Sequence, residues 1–429
     1  VSTIIILLCI TVILFSWTRE KNIYNPLMLF FGLWAIVVFG DSLHLFGLYK
    51  ADNIIYFIFF IGLLSYLFGY YIIMLKQNTN HINVKNERSN DHKDNEKFII
   101  NEKSFFVLGF LTLFIIWKTA LPTVLLLLSG VSFYDVRYVL LGTTMETQNN
   151  FLLSYFALPF SHVMLHLSLI NFFLYKKKNF LLLTILVLLG VVLTNGARLY
   201  LLYYLIDAVV IKVIFNDIFG KKMEGISRKL NRRRNIYISV LTAVLLLGMA
   251  YITLLRKSDI FKTIYKYVVG TVPHMSQRYE EFEIVNKYTY GVTSYQGFFR
   301  PIFSLLDKIG VNSELFSLSE YFSNQWQSAA FIAPDTIYNF CVSLFMYFYV
   351  DLGIVGVIIG SITYGIICAL AYRSMKKNTN VKSLALYLMI VQSILMSMIR
   401  YQFTDLSFAL AFFYLFFVIK KRNNRMKSI

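Results

Sequence analysis

The stretch Asn53–Leu75, NIIYFIFFIGLLSYLFGYYIIML, contains no charged side chain. At 1.5 Å per residue, a helix of that length spans the roughly 30 Å hydrocarbon core of a bilayer. Apolar runs that come close to or reach the length needed to cross recur at Ile4–Phe15, Phe105–Leu128, Phe180–Thr194 and Val240–Leu255. Of the 429 residues 57% are hydrophobic and only 15% charged, outside the range of ordinary soluble domains. A soluble enzyme, a nucleic-acid-binding domain and a disulfide scaffold are excluded. The three cysteines, Cys9, Cys341 and Cys368, lie in or beside apolar runs without CxxC spacing, so no metal cage is expected. No secretory cleavage pattern is visible near the start, and the first apolar run is expected to be a retained helix.

Outward from Asn53–Leu75, hydropathy predicts an all-α polytopic membrane protein with about eleven transmembrane helices. They fall near 2–17, 26–48, 53–75, 104–129, 150–175, 180–195, 198–215, 236–255, 351–372, 384–400 and 406–419. The net charge of +18 is placed unevenly between them. Segments 18–25, 76–103, 176–179, 216–235, 373–383 and 420–429 hold 27 of the 41 Lys+Arg, whereas 256–335 balances 8 basic against 8 acidic residues. Cytoplasmic loops collect Lys and Arg, so the first group and the C-terminus are expected inside and 256–335 outside. The apolar segment 336–350 is then expected to be re-entrant or interfacial, with Asp351-Leu-Gly353 breaking the chain before the next span. Three regions result: helices one to eight over 1–255, a long extracytoplasmic loop over 256–350, and three helices with a basic tail over 351–429. The acidic and basic mixture of 76–103 is a solvated loop, and Arg232-Arg233-Arg234 an orientation anchor.

Arginines on the outer side stand out because the charge rule depletes that side. They are Arg137, Arg198, Arg256, Arg278, Arg300 and Arg400. A guanidinium is permanently charged and forked, matching two phosphate oxygens at once, and the chain has no Asp-x-Asp pair to hold a metal diphosphate. Thr194-Asn-Gly-Ala-Arg198 would put Arg198 at the N-terminus of a helix, an anion site by virtue of its unsatisfied N–H groups. Snorkelling to lipid headgroups explains the same residue. Arg137, in Tyr134-Asp-Val-Arg-Tyr138, either reaches a phosphate beside aromatic rings or simply pairs with Asp135. On a helix, His274, Arg278 and Glu281 share one face, offering a base, a phosphate clamp and an orienting carboxylate. A histidine near its free pKa accepts a hydroxyl proton at neutral pH. The alternative is a solvated face with an ordinary ion pair. Arg300, in Gly297-Phe-Phe-Arg-Pro301, is a further clamp. Within the spans, Asp41, His44, Lys118, His162, His166, Asp207 and Lys212 are ionisable, and polar helix-to-helix contacts account for them more simply than a metal does.

Tyr338-Asn339-Phe340, then Tyr347-Phe-Tyr-Val-Asp351-Leu-Gly353-Ile-Val-Gly356, then Gly360 and Gly365, resembles the closing region of Wzy-type oligosaccharide repeat-unit polymerases of O-antigen and capsule. Tyr134-Asp-Val-Arg137, Asn195-Gly-Ala-Arg198 and the long outer loop fall in the order such proteins show, across roughly residues 130–372. The resemblance implies a GT-C-like, metal-independent membrane glycosyltransferase of the bacterial plasma membrane, without cofactor. Donor and acceptor would both be undecaprenyl-diphosphate-linked oligosaccharides, in a membrane-lipid setting and with a chain-length regulator as a further partner. It implies that Arg137, Arg198, Arg278 and Arg300 hold the diphosphate. His274 or a nearby carboxylate would take the acceptor proton, and Tyr338, Asn339, Asp351 and Gly353 would shape the site. A flippase for the same lipid-linked unit, an O-antigen ligase and a membrane-bound acyltransferase are the alternatives, the last prompted by the intramembrane histidines.

Overall fold

The structure is a computed structural model that describes residues 1–75, 98–131, 150–195, 199–218, 260–338 and 342–421, with ten further residues between 236 and 248. Arg137, Arg198, Arg256 and Asn339 lie outside the described residues, as do 76–97, 219–235 and much of the expected helix 236–255. The described chain is largely α-helical. Its helices are α1 (Ser2–Glu20), α2 (Pro26–Ser42), α3 (Asn53–Leu75), α4 (Glu102–Leu128), α5 (Leu158–Tyr175), α6 (Lys178–Asn195) and α7 (Leu199–Ile218). They continue with α8 (Ile260–Val269), α9 (Thr271–Val285), α10 (Gln296–Lys308), α11 (Glu314–Gln327), α12 (Leu344–Lys377), α13 (Val381–Met396) and α14 (Leu406–Val418). Two short antiparallel pairs complete it: β1 (Phe98–Ile100) with β4 (Ile419–Lys421), and β2 (Ala330–Ala333) with β3 (Thr336–Tyr338).

Among the described residues six helices are long and apolar enough to cross a membrane: Ser2–Glu20, Asn53–Leu75, Glu102–Leu128, Leu153–Tyr175, Leu199–Ile218 and Leu344–Lys377. Four apolar helices are shorter, among them Pro26–Ser42, which stops well before the expected residue 48. The segment 336–350 contains strand β3 and the start of a helix. Leu344–Val350 is helical and buried throughout, and it continues into the following helix across a kink. The kink falls at Leu352 and Gly353, where the sequence predicts a break.

The described helices form two compact units. The first contains α1 to α3, α8 to α12 and residues 393–405. Its α3 and α12 lie so close that a Cβ on Gly69 would come within 2.2 Å of the Ile362 carbonyl oxygen, and one on Gly365 within 2.3 Å of that of Tyr66. Apolar association contributes little between helices in lipid, so close backbone approach is what holds such a pair. Phe30 stacks on Tyr66 at 4.0 Å, and Trp34 meets Phe345 at 4.8 Å. At one end Glu20 accepts hydrogen bonds from Tyr372 and from Lys376 Nζ (2.8 Å), tying the C-terminus of α1 to that of α12. At the other end the link between α2 and α3 receives the 260–338 region. Tyr265 Oη donates to the Gly40 carbonyl (2.7 Å), Tyr49 N to that of Ile332 (2.8 Å), and Asp52 N to Ser276 Oγ (3.1 Å). The 260–338 region is thus a cap on the end opposite the basic residues Lys376 and Lys377.

The second unit contains α4 to α7, residues 378–392 and α14. Nearly every residue of α5 is buried, which makes it the central helix. Pro159 has no N–H to offer the Tyr155 carbonyl, and the preceding turn, Leu153–Ala157, widens to a π-helix. Tyr414 Oη donates to that carbonyl at 2.9 Å. His166 and Asp207, both fully buried, approach to 2.6 Å between α5 and α7. Polar pairing between helices, as expected for these residues, is what this contact is. The Glu102–Lys177 ion pair and the β1–β4 pairing gather three more basic segments at one end of this unit.

Candidate functional site

The sequence YEEFE at 279–283 is helical because α9 has good helix formers after Pro273, which sits in its first turn where a missing N–H costs nothing. Asn286 ends it in the left-handed conformation. His274, Arg278 and Glu281 lie on one face as expected, and they touch. Arg278 is only 4% exposed. Its Nε donates to His274 Nε2 (3.1 Å), and its Nη1 to both Glu281 oxygens (2.6 and 2.8 Å). Its Nη2 donates to the carbonyl (3.0 Å) and hydroxyl (2.9 Å) of Ser328. All five N–H groups are spoken for, the full capacity of a guanidinium. The residue therefore pins α9 to the end of α11, where Ser328 is the C-cap, instead of offering a fork to a ligand.

His274 departs from expectation in a similar way. It is fully buried against the Tyr338 ring, with centroids 4.9 Å apart. Burial first, and the neighbouring Arg278 cation second, push its pKa down to about 3. At neutral pH it is an uncharged acceptor for Arg278, far from the poise expected of a base working near its free value. Glu281 is different: its side chain is 49% exposed, so it is the member of the trio that solvent reaches.

Asp351 is buried and works as an anchor. Its Oδ1 accepts from Thr289 Oγ1 (2.6 Å) and Thr293 N (3.1 Å), and its Oδ2 from Ser294 N (3.1 Å). Thr289 N and Tyr290 N donate in turn to the Val350 and Asp351 carbonyls, at 3.2 and 3.0 Å. The kink thereby binds the turn that opens α10. Gly353 stands at φ +62°, ψ −143°, and a Cβ there would meet Tyr288 Oη at 3.2 Å. Both residues were expected to shape the site, and their contacts are with the segment 288–294.

Arg300 is set apart from the Arg278 cluster in its contacts. It projects from α10 with 51% of its side chain exposed, and its partner Glu320 is 3.8 Å away. The other face of α10 and the turn after it expose Ile302, Leu305, Ile309 and Val311. Sequence reasoning missed Ser328, which accepts from Arg278, and Thr289 and Thr293, which donate to Asp351. Each partner is 50 or more residues distant along the chain, and no local signal marks it. Among the described residues no group of three or more His, Cys, Asp or Glu is arranged to hold a metal ion. No protein-family model, curated protein or solved structure matches the chain.

Proposed function

We propose that the chain is a membrane glycosyltransferase that joins lipid-diphosphate-linked oligosaccharides at the outer face of a bacterial plasma membrane. The observation that carries this reading is Arg300. It is a half-exposed guanidinium on an amphipathic helix, within a cap that covers the end of its unit opposite the basic residues. Such a helix beds its apolar side in the boundary of the bilayer, the depth at which a lipid diphosphate sits. An exposed pair with Glu320 is worth little, so a diphosphate displaces it readily. Arg300 would neutralise the leaving diphosphate. Glu281 would take the proton of the attacking sugar hydroxyl. Arg278, His274 and Asp351 act as positioning residues that hold the cap.

The test is a deletion strain complemented with variants. Loss of the chain leaves single repeat units on the surface, and wild type restores the ladder of longer glycans. Arg300→Ala shortens the ladder by about tenfold or more in polymerised product at equal protein level, and Arg300→Lys rescues poorly because it lacks the fork. Absence of all surface repeat units in the deletion would mark a flippase, and long chains retained on the lipid carrier a ligase. Normal glycan length with lost acyl groups would mark an acyltransferase. Any of the three overturns the proposal.

A further inference from the structure

In the second unit an open groove of about 700 Å³ runs along the outer surface of α4, lined by Phe110, Leu113, Phe114, Trp117, Leu121 and Leu186 around Lys118. From Phe110 to Leu121 it is about 16 Å long at the helical rise. Its walls are almost wholly apolar, and Phe114 is 70% exposed. Trp117 is fixed by donating from Nε1 to the Leu186 carbonyl at 3.1 Å, so the groove has a built floor between α4 and α6.

Two polar groups of one residue break this surface. The Lys118 side chain is exposed, and among the described residues it makes no ion pair. An ammonium within a spanning segment is costly and marks an anion partner by default. The second group is the Lys118 carbonyl. Pro122 lies inside α4, four residues on, and has no N–H to give it. Among the described residues no side chain donates to it. The contrast with α5 is instructive, because there the carbonyl deprived by Pro159 is served by Tyr414. On α4 no described side chain takes the part that Tyr414 plays, and Lys118 is one of the residues that line the groove.

We infer that the groove is a binding site for a glycerophospholipid with a hydroxylated anionic head, phosphatidylglycerol being the representative. One acyl chain lies along Phe110 to Leu121, the phosphodiester pairs with the Lys118 ammonium, and a head-group hydroxyl donates to the Lys118 carbonyl. The apolar lining selects a lipid, the cation selects an anion, and the orphaned acceptor selects a head that carries a donor. This site is independent of the proposed glycosyl transfer.

The full chain, purified in detergent, is examined by native mass spectrometry with phosphatidylglycerol, phosphatidylmethanol and phosphatidylcholine of identical acyl chains. Wild type retains phosphatidylglycerol over both others. Lys118→Gln reduces its preference over phosphatidylcholine by about fivefold, the effect of one lysine on an anionic lipid, and Lys118→Arg keeps it. Pro122→Ala returns an N–H to the helix, so it removes the preference over phosphatidylmethanol while leaving that over phosphatidylcholine. Both changes sit on a lipid-facing surface, and alanine favours the helix, so folding is preserved. Equal retention of all three lipids by wild type, or unchanged ratios in Lys118→Gln and Pro122→Ala, overturns the inference. So does stronger retention of an added polyprenyl phosphate.

Discussion

His274 shows how burial changes the chemistry of a side chain that looks available in the sequence. In the folded cap it takes up a proton only near pH 3, against an ordinary value of 6.5. Between these limits the unfolded chain binds the extra proton and the folded chain does not. The stability that neutral His274 contributes is therefore complete above pH 6.5 and is lost as the pH falls towards 3, by about 1.4 kcal/mol per unit. The charged group hydrogen-bonded to the ring is Arg278, and the Tyr338 ring packs against it; among the described residues no carboxylate is bonded to His274 to hold the imidazolium. Hydrogen exchange in α9, corrected for intrinsic rates, is expected to speed up about tenfold per unit between pH 6 and 5. His274→Gln keeps an acceptor for Arg278 without titrating, and should flatten that dependence. Identical slopes in the two proteins would show that another group is responsible. The face shared by 274, 278 and 281 was legible from its spacing. The depth of burial was not, because it is set by Tyr338 and Ser328, which reach the cluster only through the tertiary fold.

At the level of elements, the kink in α12 joins the membrane helix to the 260–338 cap. Gly353 occupies a backbone region that side chains avoid, and its missing Cβ leaves room for Tyr288. Gly353→Ala is expected to cost about 1–3 kcal/mol through strain. The cost should appear locally, as faster proteolysis across Asn286–Gln296 in the full chain. Asp351→Asn should act on the same segment, since its amide turns donors towards N–H groups that need an acceptor. Cleavage rates unchanged in both variants would separate the kink from the cap. The break itself could be placed from Asp351-Leu-Gly353 alone. That 344–350 would also be helical could not, because its seven buried residues have neither a period nor a polar face to distinguish a helix from a re-entrant loop.

Over the whole molecule, charge and fold make the same statement by different routes. Hydropathy alone located most of the helices, since lipid demands that each spanning segment satisfy its own backbone. Charge alone divided their connections into a basic set and a nearly neutral one. Within the first unit the fold then holds Glu20, Tyr372 and Lys376 together at one end and docks the neutral 260–338 region at the other. Such separation is what the positive-inside rule produces when the basic end is cytoplasmic. Lys308→Cys and Lys377→Cys are both exposed positions, and Cys9 and Cys368 are buried, so labelling in a Cys341→Ser background reports the introduced thiols. A membrane-impermeant maleimide added to intact cells is expected to mark position 308, and to mark 377 only after permeabilisation. Were the pattern reversed, Arg300 would face nucleotide sugars and cytosolic phosphates instead of an external lipid carrier. The charge asymmetry would then need a cause other than topology, and the proposed transfer would lose its compartment.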